Sequence, residues 1–215
     1  LKIRELKLAT SNPGKLREYL RLAPDSPVAL ELMAGFAELT PFDETAPTFA
    51  ENGLGKAIYY SRFCNDVVLA EDSGLVVPAL GGAPGVRSAR YGGENATDHD
   101  RLQLVLQHMK GKSGDERTAR FVCVTALARA GQPLAVVSDF VEGVLTEAPQ
   151  GSDGFGYDPI FFSPELGRTT AEASAEEKDR ISHRGKAFRK LIGIIRDGEF
   201  PKRGLDGHSR KAHMV

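Results

Sequence analysis

The run RTARFVCVTALAR at residues 117–129, the connector Ala130-Gly131-Gln132-Pro133 and the run LAVVSDFVEGVL at residues 134–145 decide the fold class. Both runs favour strand, and the Gly- and Pro-containing connector is a hairpin signature. An antiparallel block therefore fills the second half of the chain. Outward from it, Val67-Val68-Leu69-Ala70 is a continuous apolar run of the kind found in a buried strand. Residues 6–9 and 160–162 are shorter strand candidates.

Helical spacing alternates with these strands. Ser11 or Asn12 can cap a helix with Pro13 in its first turn, and Leu16, Leu20 and Ala23 recur until Pro24 stops the run. A second helix is expected over residues 48–63, acidic at Glu51 and basic at Arg62. Thr97-x-x-Asp100 resembles a capping box, followed by a face of Leu102, Val105, Leu106 and Met109. The last helix spans about residues 175–196, with Ile181, Phe188, Leu191, Ile192 and Ile195 on one side and Gly198 beyond its end. Residues 78–93, rich in Gly and Pro, read as a long surface loop. The expectation is an α/β (mixed α+β) fold with an elongated central mixed sheet and two lobes flanking a cleft. Residues 1–198 form a single two-lobed domain and residues 199–215 a polar C-terminal tail.

Composition narrows the function classes. Lys and Arg number 28 against 29 Asp and Glu, a net charge of −1, so no global field attracts nucleic acid or an acidic membrane. No apolar run approaches the roughly 20 residues needed to span a bilayer. The start, Leu1-Lys2-Ile3-Arg4, has no secretory pattern, and Cys64 and Cys123 read as two buried free thiols. The expected setting is cytoplasmic.

Four stretches could carry chemistry. Thr10-Ser11-Asn12-Pro13-Gly14-Lys15 is a strand-to-helix turn whose free N–H groups and terminal ammonium suit an anion, although it also reads as a plain capped helix. Glu71-Asp72-Ser73-Gly74 follows the apolar run at 67–70, and carboxylates at the end of a strand face the crevice of an open sheet. Adjacent strand residues point to opposite sides, so only one of Glu71 and Asp72 need face a site. Such hard oxygen ligands suit Mg²⁺, and Asp43-Glu44 could add a second carboxylate. The competing reading is an exposed strand end with a Ser-Gly turn. Phe155-Gly156-Tyr157-Asp158-Pro159 offers aromatic faces to a base, or fills core. Lys178, His183, Arg184 and Lys186 place four potential cations on one helical stretch, which reads as a solvated face unless Ser182 caps a fresh helical start aimed at an anion. No histidine and cysteine spacing suggests zinc, and Ser73 lies outside the G-x-S-x-G turn of serine hydrolases.

In order, these stretches resemble the inosine/xanthosine triphosphate pyrophosphatase family. The matching motifs are residues 9–18 (ATSNPGKLRE), 48–52 (TFAEN), 72–75 (DSGL), 80–85 (LGGAPG), 88–91 (SARY), 154–159 (GFGYDP), and 176–178 (EEK) followed by 181–185 (ISHRG). The resemblance implies a nucleotide-binding cleft between the two lobes, usually a homodimer, and Mg²⁺-dependent hydrolysis of non-standard purine nucleoside triphosphates (ITP, dITP, XTP) to the monophosphate and pyrophosphate. A pyrophosphatase for other modified or pyrimidine nucleotides is the nearest alternative, and a non-catalytic nucleotide-binding module a further one. By the resemblance, Thr10, Ser11, Asn12, Pro13, Gly14 and Lys15 hold the triphosphate. Asp72 is the general base and a metal ligand, with Asp43 or Glu44 near the metal. Ser73, Phe155, Gly156, Tyr157, Asp158, Lys178, His183 and Arg184 bind substrate, the last two near the base. His183 and Arg184 can donate to a purine 6-oxo group, and guanine must be refused at its 2-amino group. Two departures stand out. Glu71 replaces a frequent aspartate, and Gly53 and Gly55 weaken a helix by roughly 0.5–1 kcal/mol each without touching residues assigned to chemistry.

Overall fold

A computed structural model describes residues 2–198, so the expected tail at 199–215 lies outside the described residues. The strands are β1 (Glu5–Leu8), β2 (Ala29–Leu32), β3 (Val67–Val76), β4 (Thr118–Arg129), β5 (Gln132–Leu145), β6 (Phe161–Ser163) and β7 (Arg168–Thr169). The helices are α1 (Pro13–Leu22), α2 (Phe49–Tyr60), α3 (Asp98–His108), α4 (Ala175–Ile181) and α5 (His183–Asp197). One mixed sheet runs in the order β2-β1-β3-β4-β5-β6-β7. β1 is parallel to both β2 and β3, and every later pairing is antiparallel.

The hairpin turn is tighter than its sequence suggests. Ala130 and Gly131 alone make it, both with positive φ (49° and 74°), the left-handed pair that matches strand twist. β5 therefore starts at Gln132. Pro133 is tolerated beside a register shift at Leu127/Ala128, where the ladder is already irregular.

β3 corrects the expected strand end. It runs through Glu71-Asp72-Ser73-Gly74 to Val76, because β4 pairs with it from Val68 to Val76. β1 accompanies it only to Leu69, where the Ala9 N–H donates to the Leu69 carbonyl at 2.8 Å. The crevice thus opens past the carboxyl end of β1, and the acidic pair borders it from mid-strand.

Three apolar clusters fill the molecule. α1 and α5 pack Tyr19, Phe188 and Leu191 on Leu6, Leu8 and Leu69. α2 lays Ala57 and Tyr60 against Val68, Ala70 and Ala126. α3, with its capping box of Thr97 and Asp100, seats Leu102, Val105 and Met109 beside Leu75, Phe121 and Phe161.

The expected last helix is two helices. Ser182 ends α4 and caps α5, its hydroxyl accepting from the Gly185 N–H at 3.0 Å. Residues 78–93 are also more tightly held than a surface loop. They fold as turns at Pro78–Leu80 and Gly85–Arg90, and the buried Ser88 hydroxyl accepts from the Leu75 N–H at 2.9 Å. Both cysteines are free, but only Cys123 is buried; Cys64 is half-buried. Among the described residues, no helix is long and apolar enough to cross a membrane.

Candidate active site

A cavity of about 310 Å³ opens where the β1–α1 turn, the middle of β3 and the start of α5 converge. Each wall follows from local structure. Asn12 ends the turn by accepting the Lys15 N–H at 3.0 Å, which starts α1 and points Thr10, Ser11, Asn12 and Lys15 at the cavity. Pro13 and Gly14 do not line it. Gly14 serves another purpose: a Cβ there would stand 2.6 Å from the Phe155 ring, so its bare Cα seats that ring.

Strand alternation separates the two acids of β3. Asp72 lines the cavity and Glu71 does not. Asp72 Oδ1 accepts from the Ser73 N–H at 2.9 Å, and Oδ2 accepts from Asn52 Nδ2 at 3.0 Å. Burial raises the Asp72 pKa above that of an ordinary aspartate, and Glu44 adds to the rise against the pull of Lys15 and Lys56. Such a carboxylate is a stronger proton acceptor than an exposed one.

Glu71 faces the opposite side and is 2% exposed. Its carboxylate accepts from Tyr19 Oη at 2.7 Å, from Arg184 Nε and Nη2 at 2.9 and 2.8 Å, and from Ser73 Oγ at 2.9 Å. Lys15 Nζ lies 3.1 Å from Oε1. Burial pushes this carboxyl up, but the Arg184 and Lys15 charges outweigh burial and hold it well below the usual range.

Glu44 lines the cavity and pairs with Lys56 Nζ at 2.6 Å, whereas Asp43 is exposed and outside the lining. Lys56 also donates to the Glu71 carbonyl at 3.1 Å. Burial, followed by the neighbouring Lys15 charge, lowers its pKa. Among the described residues, no three His, Cys, Asp or Glu side chains gather into a ready-made metal cluster.

Beside the β1–α1 turn the residues 155–158 split in role. The Phe155 ring lines the cavity, with Lys178 Nζ 4.9 Å and the Arg184 guanidinium carbon 5.7 Å from its centroid. The Gly156 N–H donates to Asp98 Oδ2 at 2.8 Å. Tyr157 also borders the cavity, but it is 5% exposed, packs in the α3 core and donates its hydroxyl to the Ser88 carbonyl at 2.9 Å. Asp158 accepts from the Phe155 N–H at 2.8 Å and from Thr170 Oγ1 at 2.9 Å, and pairs with Lys178.

Two of the four expected cations change character. His183 stacks on Phe121, centroids 4.9 Å apart, and burial together with the Arg184 charge lowers its pKa to about 3. It is a neutral imidazole at physiological pH. Arg184 is 1% exposed, with Nε and Nη2 on Glu71 and Nη1 on Glu18. Glu18 also holds Lys178 at 2.6 Å; burial pushes Glu18 up, but Arg184 and Lys178 bring it to about 2.

Sequence reasoning missed Glu18, Asn52, Lys56, Ser88 and Arg90. Glu18 and Asn52 stand inside motifs already quoted, and Lys56 lies one helical turn past Asn52, so helical spacing could have found it. Arg90 lines the cavity mouth and donates to the Glu44 carbonyl at 2.7 Å. Ser88 and Arg90 stand inside the quoted motif at residues 88–91, to which the sequence alone attaches no role.

A model of the Ham1 family matches residues 6–194. A Thermus thermophilus protein named dITP/XTP pyrophosphatase is 51% identical over 196 residues, covering 91% of this chain and 93% of its own. One of the same name from Geobacillus kaustophilus is 47% identical over 189 residues, covering 88% and 93%. The structure of a HAM1 protein from Coxiella burnetii superimposes with a TM-score of 0.81 at 38% identity, covering 91% of this chain and 100% of that one. The chain belongs to the Ham1 family.

Proposed function

We propose that this protein hydrolyses non-standard purine nucleoside triphosphates (ITP, dITP and XTP) to the monophosphate and pyrophosphate, the activity for which its relatives are named. One observation carries the reading: Asp72, a carboxylate of raised pKa, faces a cavity that Lys15, Lys56, Lys178 and Arg90 also line. That sets a proton acceptor beside four cations, the charge a polyphosphate needs.

A divalent metal fits the donor set. Mg²⁺ takes one or two protein carboxylates and completes its shell with phosphate oxygens and water, and of the four acids on the cavity wall Asp72 and Glu44 are neighbours, whereas Asp98 holds the Gly156 N–H and Asp158 pairs with Lys178. Asp72 and Glu44 would hold it, and when bound it would neutralise phosphate charge. Asp43, exposed outside the lining, takes no part. The protein's own residues do the rest. The Thr10 to Lys15 turn and Lys56 grip the phosphates. Asp72, oriented by Asn52 and Ser73, takes the proton of a water attacking the α-phosphorus, and pyrophosphate leaves. Phe155 supplies a stacking face. Neutral His183 keeps one N–H for a purine 6-oxo group, where adenine offers only a competing donor.

The test is a substrate panel of ITP, XTP, GTP, ATP and a pyrimidine triphosphate with Mg²⁺, assayed separately for pyrophosphate and orthophosphate. Pyrophosphate from ITP and XTP, at rates well above those on ATP and GTP, is the expected result. Equal rates on all purines would defeat the 6-oxo argument, and orthophosphate would place the cleavage elsewhere.

The proposal extends to assembly and setting. The exposed strip of Val136, Phe140 and Val144 on one face of β5 is the apolar surface a homodimer would cover. Sedimentation velocity should find a dimer that Phe140→Glu weakens; a dimer unaffected by that change lies on another face. Two free cysteines suit a cytoplasmic setting.

A further inference from the structure

Glu71 is the most heavily bonded carboxylate beside the cavity, yet it does not line it. Its position in the network is specific. Oε1 meets Lys15 Nζ at 3.1 Å, Ser73 Oγ at 2.9 Å and Arg184 Nη2 at 2.8 Å. Oε2 meets Arg184 Nε at 2.9 Å and Tyr19 Oη at 2.7 Å. Lys15 ends the turn proposed to hold phosphate, Arg184 meets the same Oε1 and sits beside Phe155, and Ser73 holds the Asp72 carboxylate through its N–H. One side chain therefore ties together three groups with three different tasks.

The reach of glutamate matters. From mid-strand it spans α1, through Lys15 and Tyr19, and α5, through Arg184. An aspartate carboxylate on the same backbone would stand one methylene short. It could keep a charge near the Arg184 fork but could not also meet Lys15 and Tyr19 at these distances. We propose that Glu71 is a positioning residue, holding Lys15 and Arg184 side by side on one carboxylate so that the cation at the phosphate turn stays in register with Asp72, which Ser73 aims. This rests on the pyrophosphatase reading above. Fixed geometry of this kind acts on turnover more than on ground-state binding, because the reacting atoms must be aligned.

The test uses the full chain, ITP and a pyrophosphate assay. Glu71→Asp and Glu71→Gln are expected to lower kcat by about 10- to 100-fold with KM changed less than about threefold. Tyr19→Phe is the variant that keeps the proposal testable if both of those unfold. Its ring still packs on Phe188, and it removes only the hydroxyl that steadies Oε2. It should lower kcat about 3- to 10-fold at unchanged KM and melting temperature, the scale of one lost orienting bond. Combined with Glu71→Asp where that variant folds, it should add almost nothing, since both act through one carboxylate. Wild-type turnover in a folded Glu71→Asp or in Tyr19→Phe overturns the proposal, as does full additivity of the pair. A wild-type protein that releases no pyrophosphate from any nucleotide overturns the pyrophosphatase reading instead.

Discussion

At the scale of single residues, Asp72 and Glu71 show how one peptide bond separates chemistry from architecture. Asp72 carries the reaction in the proposed function, so Asp72→Asn should leave the fold intact and reduce kcat on ITP by at least about 100-fold, the scale of a lost general base. Near-normal turnover by the folded variant would move that role to another group. The sequence shows that one of the pair faces a site, because strand alternation is a local rule. It could not say what the other does. The partners of Glu71 lie 52 positions away at Tyr19 and 113 away at Arg184, and only the folded chain brings them together. His183 makes the same point about charge. Its place among basic residues reads as a cation, whereas enclosure against Phe121 and Arg184 leaves it neutral.

At the scale of elements, legibility follows how local the deciding interaction is. The capping box of α3 and the Asn12 cap of α1 depend on residues within one turn and were readable, whereas Ser182 reads as a cap inside a run that otherwise reads as one helix. The length of β3 was not. Its apolar run stops at Ala70, and the strand continues because β4 pairs with it from the other half of the chain. Gly53 is a second case. In a sequence it is only a weak residue in α2, remote from the chemistry. In the fold, a Cβ there would stand 3.1 Å from the Asp72 nitrogen and 3.1 Å from the Val124 carbonyl oxygen, so α2 presses directly on the reactive strand. Gly53→Ala should therefore split stability from activity. The helix gains up to about 1 kcal/mol in propensity. Displacing α2 or Asp72 by a few tenths of an ångström should lower kcat about tenfold, since small misplacements are costly in catalysis. Thermal melting and ITP turnover on the same preparation check it; a variant with kcat within twofold of wild type would mean the contact relaxes without moving Asp72.

At the scale of the whole molecule, three apolar clusters meet around a charged layer of Lys15, Lys178 and Arg184 facing Glu18, Glu71 and Asp158. Buried ion pairs of this kind add little net stability but are severely destabilising when one partner is lost. Protonation is the reversible way to lose one, and here the signs agree. His183 titrates at about 3 folded against 6.5 for the ordinary group, so below 6.5 the unfolded chain takes up a proton the folded chain refuses. Its contribution is fully present above 6.5 and is lost as pH falls towards 3. Glu18, at about 2 folded against 4.5, behaves in the same sense but only below 4.5. Between 4.5 and 6.5 the histidine therefore acts without Glu18. Urea unfolding should show stability falling by about 2 kcal/mol between pH 7.5 and pH 5, a slope near the 1.4 kcal/mol per pH unit of one proton. His183→Gln, neutral throughout, should flatten that interval while leaving the steeper loss below pH 4.5, where Glu18 begins to protonate in the unfolded chain. Parallel slopes for wild type and variant would show that His183 does not hold its proton affinity down in the fold, and the acid lability would then belong to the carboxylates alone.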